Sequence, residues 1–582
     1  MSRGADCEIQ RRAPYRVGTE TCTSTKRYVY DAASFRIVSG ARYFDQNTGD
    51  VVFSDPLGDI DNDSSMLARD GTYRTVFGPA VAHNGKILAN SVANLQGGVR
   101  RMLNVRDPNL PDLGRGLRAI QIQHIGTITS LIDRLCTLYT PHFTDYCGAF
   151  QEALEHHADP HQKKQLRIDA WSELIQSGRV LGNDWFRHDN ERINYKLKKN
   201  EIAKPNKWIR AIGDLGVAAS LFGFRLTKFL KFAMACEPID ETYGTLEFIP
   251  KPNPAVLDKL FRDHITASKP IFSYFSDDSI LSFYSAGTWY SFNVDISSCD
   301  ASHGPMVFDA LERITPTRGR EDMRILINQC RRAFKIVNPS AGRSKEKITF
   351  QCNVPRLFSG WTGTTAMNNL ACIIFGHHII THLDTFDGTE QWIIDKAAET
   401  GYTITVERNY TIYDMQFLKH SPVYDRKREI RALLNFGVFL RSSGTCKGDL
   451  PGRGDLVRRG CLFQAALLRG TYPRLVNPLI HAFKCCAGSR VDKKTYYKIV
   501  REELAYKLDY SELMTEDELD SITRVGDELD VDNDEFLARY RLTAGEVLEL
   551  EEFATLGYGW HIASSSVDKI INKDYGINTY II

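Results

Sequence analysis

Residues 271–300 read IFSYFSDDSILSFYSAGTWYSFNVDISSCD and carry two groups of carboxylates, Asp277 with Asp278 and Asp295 with Asp300. Each group follows a run of aromatic and β-branched residues. Ile271 to Phe275 and Ile280 to Phe283 are strand-prone, with the polar reversal Ser276-Asp277-Asp278-Ser279 between them. Trp289 to Ile296 reads as a further strand ending in acidic and small residues. Acids at the tips of apolar strands are costly unless they are solvated, paired or neutralised by metal. If the strands are neighbours, Asp277 and Asp295 can share two divalent cations about 3.5–4 Å apart, the arrangement used for phosphoryl and nucleotidyl transfer. A lone Asp-Asp in a turn is more often an ordinary loop, so the reading depends on what else the chain supplies.

The bulk properties neither announce nor oppose such chemistry. The chain has 582 residues, 43% of them hydrophobic and 25% charged, which describes a globular protein able to bury a large core. Its 73 Lys and Arg against 72 Asp and Glu leave a net charge of +1, so affinity for a polyanion must be read locally. Thirteen cysteines without a CxxC pair point to free thiols in a reducing compartment and exclude a zinc ribbon or a disulfide framework. The first residues lack an apolar signal core, and no run of about 18 apolar residues occurs, so a soluble, cytosolic protein is expected.

Two segments add to the acids. Residues 191–231 hold ten cations against Glu191, Glu201 and Asp214, a local net of 10 − 3 = +7. These cations alternate with apolar residues and are interrupted by Pro205, a pattern of ordered strands or a bent finger able to grip a triphosphate. Downstream, Ser359-Gly360-Trp-Thr-Gly363-Thr364-Thr-Ala-Met-Asn368-Asn369 runs into the apolar LACIIFGHHII. It reads as a glycine-containing loop opening a long helix, with Thr364 and Asn368 on one face. Helices are expected over Pro305 to Ile314, Glu321 to Ile336 and Glu390 to Thr400, a strand over Tyr402 to Val406, and a mostly helical pattern after about residue 424. Other motifs carry less. Asp59, Asp61 and Asp63 begin like a calcium loop but have Ser64 where Gly is needed, and LPGRGD at 450–455 lacks the Gly-Lys-Ser/Thr of a P-loop.

Together these pieces resemble the palm motifs of viral RNA-dependent RNA polymerases in an altered order. Asp295-Ile-Ser-Ser-Cys-Asp300 looks like the first palm motif, and Ser359-Gly360-x3-Thr364-x3-Asn368 like the second, 359 − 295 = 64 residues on. Gly401 to Thr405 resembles the fourth and Phe417-Leu-Lys419 the fifth. Lys198 to Lys204, with Arg210, is similar to the basic fingers motif. The Asp-Asp doublet normally falls after the second motif. Here it stands upstream as Ser276-Asp277-Asp278, with Ser in place of the usual Gly, an order similar to the permuted polymerases of birnaviruses and permutotetraviruses.

The resemblance covers about residues 196–420 and implies an α+β right hand: a mainly antiparallel palm, surrounding fingers and a helical thumb. It divides the chain into an N-terminal extension with fingers elements (1–160), fingers and palm (161–423), and thumb with C-terminal region (424–582). It implies template-directed RNA synthesis from ribonucleoside triphosphates in replication of a viral genome. Asp277, Asp278 and Asp295 would bind Mg²⁺ or Mn²⁺, and Lys199, Lys204 and Arg210 would hold the triphosphate. Asp300, Ser359 and Asn368 would read the ribose 2′-hydroxyl, Gly360 would let its loop move with the template, Gly360 and Thr364 would belong to the nucleotide-binding set, and Lys419 would touch the primer strand. The implied partners are RNA template, nascent strand and viral proteins of unknown identity, in the host cytoplasm or packaged in the virion. The fourth motif's usual lysine has no counterpart, since Arg408 nearby is a poor acid. The rival readings are a reverse transcriptase, against which Asp300 argues, and an RNA-binding replication protein without chemistry.

Overall fold

Between residues 245 and 296 the aromatic and β-branched runs form four strands, and a later segment adds a fifth. They are β1 (Thr245–Phe248), β2 (Ile271–Phe275), β3 (Asp278–Ser285), β4 (Thr288–Ile296) and β5 (Ile404–Arg408), which lie in the sheet in that same order. β1 and β2 are parallel and the other three pairings are antiparallel. Two-residue turns join β2 to β3 and β3 to β4. The second turn, Ala286-Gly287, has φ of 49° and 79°, the doubly left-handed backbone that matches strand twist. In this computed structural model the described residues are chiefly 125–146, 193–198, 209–215, 217–250, 252–332, 334–337, 347–352, 355–443, 533–556 and 565–575, with short strands between residues 6 and 88. The triphosphate candidates Lys199 and Lys204, the Asp59–Asp63 turn, the LPGRGD segment and most of the expected thumb lie outside them.

All five residues of β2 are buried, because a helix covers each face of the sheet. On one side lies α4 (Thr364–Thr381), eighteen residues and almost wholly buried. Its Phe375 ring meets Phe272 edge-on at 5.8 Å, and Gly376 lets the helix close in, since a Cβ there would stand 2.9 Å from Leu246 and 3.0 Å from Phe272. On the other side lies α1 (Pro254–Thr266), the crossover between the parallel strands. It starts where Asn253 accepts from the Val256 amide at 2.9 Å, with Pro254 in the first turn. The architecture is therefore mixed α and β with antiparallel pairing predominant, as expected. Among the described residues no helix is long and apolar enough to cross a membrane.

The basic segment also forms strands. Ile193–Leu197 pairs antiparallel with Ala211–Asp214, and Lys196 meets Asp214 at 3.1 Å. This ribbon joins a second sheet through Phe334–Val337. That strand corrects the expected helix from Glu321 to Ile336, which instead spans Arg320–Gln329. The Phe-Lys-Ile-Val alternation finds strand partners on both sides, and pairing overrides helix propensity. Likewise, where a mostly helical pattern is expected after about residue 424, the first helix there begins only at Phe436. Ile430–Leu434 is a strand paired with His420–Tyr424, held where Asp258 accepts from the Ala432 amide at 2.6 Å.

A polar row lies within the sheet beneath α1. His264 places Nδ1 2.8 Å from Ser282 Oγ and Nε2 2.8 Å from Ser273 Oγ, and Ser282 and Asn409 both donate to Ser291. Burial lowers the His264 pKa from its ordinary 6.5 to about 3, so the folded chain keeps this ring neutral. From pH 6.5 down to about 3 the unfolded chain holds a proton that the folded chain does not. The stability this neutral ring contributes is thus complete above pH 6.5 and declines as pH falls, by at most about 1.4 kcal/mol per unit. Denaturant unfolding at pH 7 and pH 5 is expected to show that decline, and a shallower one in His264→Gln. An identical pH slope in both proteins would count against this origin.

Candidate active site

The site is built at the end of the sheet where β3 begins and β4 finishes. Asp278 is the first residue of β3 and stands directly across from Asp295 on β4, which is flanked on its other side by Thr405 of β5. Asp277 occupies the second position of the two-residue turn that joins β2 to β3. Directly opposed residues on neighbouring antiparallel strands point to the same face, so Asp278 and Asp295 form a cross-strand acidic pair. Asp277 and Asp295 are solvent-exposed. The buried thiols of Cys299 and Cys372 both feel Asp277 and Asp295, which adds to burial in pushing each thiol well above its ordinary range. Both acids are therefore within electrostatic reach of the same two thiols.

Asp277 is exposed to solvent yet has protein packed closely around it. That crowding, and next the repulsion of Asp300, raises its carboxyl above the ordinary 3.8. Its own backbone amide, Arg210 and Lys419 pull the other way. Arg210 and Lys419, far apart in sequence and on different elements, thus both lie within electrostatic reach of Asp277.

Arg210 is exposed at the entry to the strand Ala211–Asp214, and its carbonyl accepts from Lys198 at 2.8 Å. Lys419 sits in a hairpin turn closed by mutual Phe417 and His420 backbone bonds of 2.9 Å. Leu418 and Lys419 have φ of 49° and 64°, so this turn too is left-handed. It is backed by the C-terminal helix Ser565–Tyr575, where the Lys419 ammonium lies 5.6 Å from the Tyr575 ring. Lys573 of the same helix pairs with Asp414 at 2.7 Å.

Asp300 is the second residue of the short helical turn Cys299–Ser302 after β4, and the Ser359 hydroxyl donates to its carboxylate. The loop carrying Ser359 is tied to the basic ribbon, since Gly213 donates to the Ser359 carbonyl at 2.7 Å. Gly360 follows with φ of 104°, and a Cβ there would fall 2.4 Å from the Gly213 carbonyl oxygen. Only glycine fits. Thr364 donates to the Trp361 carbonyl at 2.7 Å, closing the loop onto α4.

Asn368 faces elsewhere. It is buried and donates to Ser276 Oγ at 3.2 Å, while its own Oδ1 lies 2.8 Å from His303 Nε2. The structure thus brings Asp300 and Ser359 together and ties Asn368 to the acidic turn instead. Sequence reasoning did not single out His303, Tyr402, Asn369 or Cys372 as members of this site. The one signal available was the spacing of Asn368, Asn369 and Cys372, which puts them on adjoining positions of one helical face.

Ser276 itself has φ of 53°, and Asp277 does not share the positive φ. A left-handed first position alone is the pattern of a type II′ turn, where glycine is the usual occupant. For serine that backbone costs about 1–2 kcal/mol. Arg408 lies away from all this. It is opposite Phe292, three positions along the strand from Asp295, with its guanidinium 4.6 Å from the Tyr290 ring and 5.0 Å from Tyr410.

Among the described residues no three His, Cys, Asp or Glu side chains form a ready metal cage. The oxygen donors nevertheless suit a hard cation. Magnesium is commonly held by one or two carboxylates, with water and substrate phosphate completing its shell. Asp277 and Asp295, supported by Asp278, supply that minimum.

No protein-family model and no curated protein sequence matches the chain. Among solved structures it is similar to a birnavirus VP1–VP3 complex, with TM-score 0.40 and 11% identity over 74% of this chain and 64% of that one. It is also similar to the RNA polymerase VP1 from infectious pancreatic necrosis virus, with TM-score 0.39 and 13% identity over 80% of this chain and 65% of that one. The chain thus spans just under two thirds of the length of each of these two structures.

Proposed function

We propose that this chain synthesises RNA on a template from ribonucleoside triphosphates by two-metal-ion nucleotidyl transfer, and so replicates a viral RNA genome. One observation carries the reading. Asp278 and Asp295 are paired across adjacent strands, Asp277 stands in the adjoining turn, and Arg210 and Lys419 lie within electrostatic reach of Asp277 from two other elements. A site with that charge pattern suits a substrate that brings metal and triphosphate together.

Asp277 and Asp295, with Asp278 in support, would hold Mg²⁺ or Mn²⁺. Such ions lower the pKa of an attacking hydroxyl and neutralise charge on the leaving group. Arg210, joined by Lys199 and Lys204 of the same basic segment, binds the triphosphate; a guanidinium can grip phosphate in a bidentate fork. Asp300, held by Ser359, accepts from the ribose 2′-hydroxyl, the group by which a protein tells RNA from DNA. Lys419 touches the backbone of the nascent strand. The five described cysteines are free thiols, in keeping with action in the host cytoplasm.

Asp277→Asn and Asp295→Asn are each expected to lower Mg²⁺-dependent incorporation by about 10²–10³-fold, with thermal melting little changed. Incorporation that survived both changes would favour an RNA-binding protein whose chemistry comes from elsewhere. A second measurement concerns the sugar. Asp300→Asn should reduce the preference for NTP over dNTP by about tenfold in kcat/KM. A preference left intact would remove Asp300 from sugar reading.

A further inference from the structure

Every polar atom of Ser276 is held by α4. Its amide donates to Asn369 Oδ1 at 2.7 Å, its hydroxyl accepts from Asn368 Nδ2 at 3.2 Å, and its carbonyl accepts from Cys372 Sγ at 3.1 Å. The three holders occupy positions i, i+1 and i+4 of one helix and are buried, as is Ser276. A second layer stands behind Asn368. His303 contacts its Oδ1 through Nε2 at 2.8 Å and contacts the Tyr402 hydroxyl through Nδ1 at 3.0 Å. Both rings are buried.

The directions of these bonds are mutually consistent. Asn368 Oδ1 can only accept, so His303 carries its proton on Nε2, and Nδ1 accepts from Tyr402. With the amide oxygen fixed in this way, the amide nitrogen of Asn368 is the atom turned toward Ser276. A glycine at the first turn position would adopt φ of 53° without help. The serine does so inside a clamp, and the next residue is Asp277.

We infer that His303, backed by Tyr402, is a positioning residue that sets the attitude of Asp277 toward divalent metal, acting through Asn368 and Ser276. This rests on the polymerase reading only in treating Asp277 as a metal ligand. His303 acts through other residues: it fixes which end of an amide faces the turn.

The test is Mn²⁺ binding by the full chain, followed through the EPR signal of free Mn²⁺. Tyr402→Phe and His303→Gln are each expected to weaken binding by about tenfold, the scale of loss when a support of a metal ligand is removed. Tyr402→Phe removes one oxygen and keeps the ring, so it decides the matter if His303→Gln fails to fold. In a Ser276→Gly background the hydroxyl that Asn368 holds is gone, and Tyr402→Phe should then change Mn²⁺ affinity by less than about twofold. Equal weakening in both backgrounds, or unchanged affinity in a folded Tyr402→Phe protein, would overturn the inference. Templated NTP incorporation is scored separately. Its absence with the Mn²⁺ pattern intact overturns the polymerase reading alone, whereas a wild-type chain that binds no Mn²⁺ overturns both.

Discussion

Like charges do not collect unaided. Asp277 and Asp300 repel one another, and Asp278 stands directly across from Asp295, so the acidic end of this sheet is a region that the rest of the fold must force together. The force comes from apolar packing behind it. β2 is buried on both faces, α4 lies almost wholly inside, and the Phe272–Phe375 contact with the close approach at Gly376 locks helix to sheet. Each buried aromatic side chain contributes roughly 1.5–3 kcal/mol. A core of that size can hold a few carboxylates in mutual view, and Arg210 and Lys419 offset part of what remains.

Connectivity makes the gathering cheap. Asp277 and Asp295 are 295 − 277 = 18 residues apart, and the chain between them is a hairpin with a two-residue turn. Closing so short a loop costs little entropy, and loop cost grows only slowly with length. The long excursion falls instead between β4 and β5, where residues 297–403 supply Asp300, the Ser359 loop and α4 before the chain returns to the sheet beside Asp295. The acidic hairpin and its neighbour strand are thus one local unit, and the elements that flank and support the acids are inserted after it.

This arrangement also explains what could be read in advance. The strands of 271–296 are rich in aromatic and β-branched residues and the first ends in a polar turn, and the helix Pro305–Ile314 begins at proline, so local chemistry and final structure agree there. The loop before α4 was legible through its glycines and Asn368. Three features were not. Phe334–Val337 and Ile430–Leu434 became strands because partners distant in sequence were waiting for them. His303 looked like any residue following a short acidic turn; its meaning comes from Tyr402 and Asn368, which are 99 and 65 residues away. Periodicity reports which face a residue lies on, never which residue it will meet.

The turn at Ser276 shows how such distant contacts and local backbone chemistry depend on one another. Left-handed backbone at a non-glycine residue persists only where the surroundings over-determine it. Here they do, through three bonds from one helix. Glycine would be easier locally but would offer Asn368 nothing to hold, leaving the turn attached to α4 through backbone groups alone. The Leu418-Lys419 turn is left-handed as well and is also braced from outside, by Asn435, which donates to the Lys419 carbonyl at 2.9 Å. The two turns put their charged side chains, the anionic Asp277 and the cationic Lys419, within electrostatic reach of one another. A freely flexing turn would let that charge wander. Unfavourable backbone conformations restrained by packed neighbours place it at a definite point, and a site that must align metal, phosphate and hydroxyl has more use for position than for ease of folding.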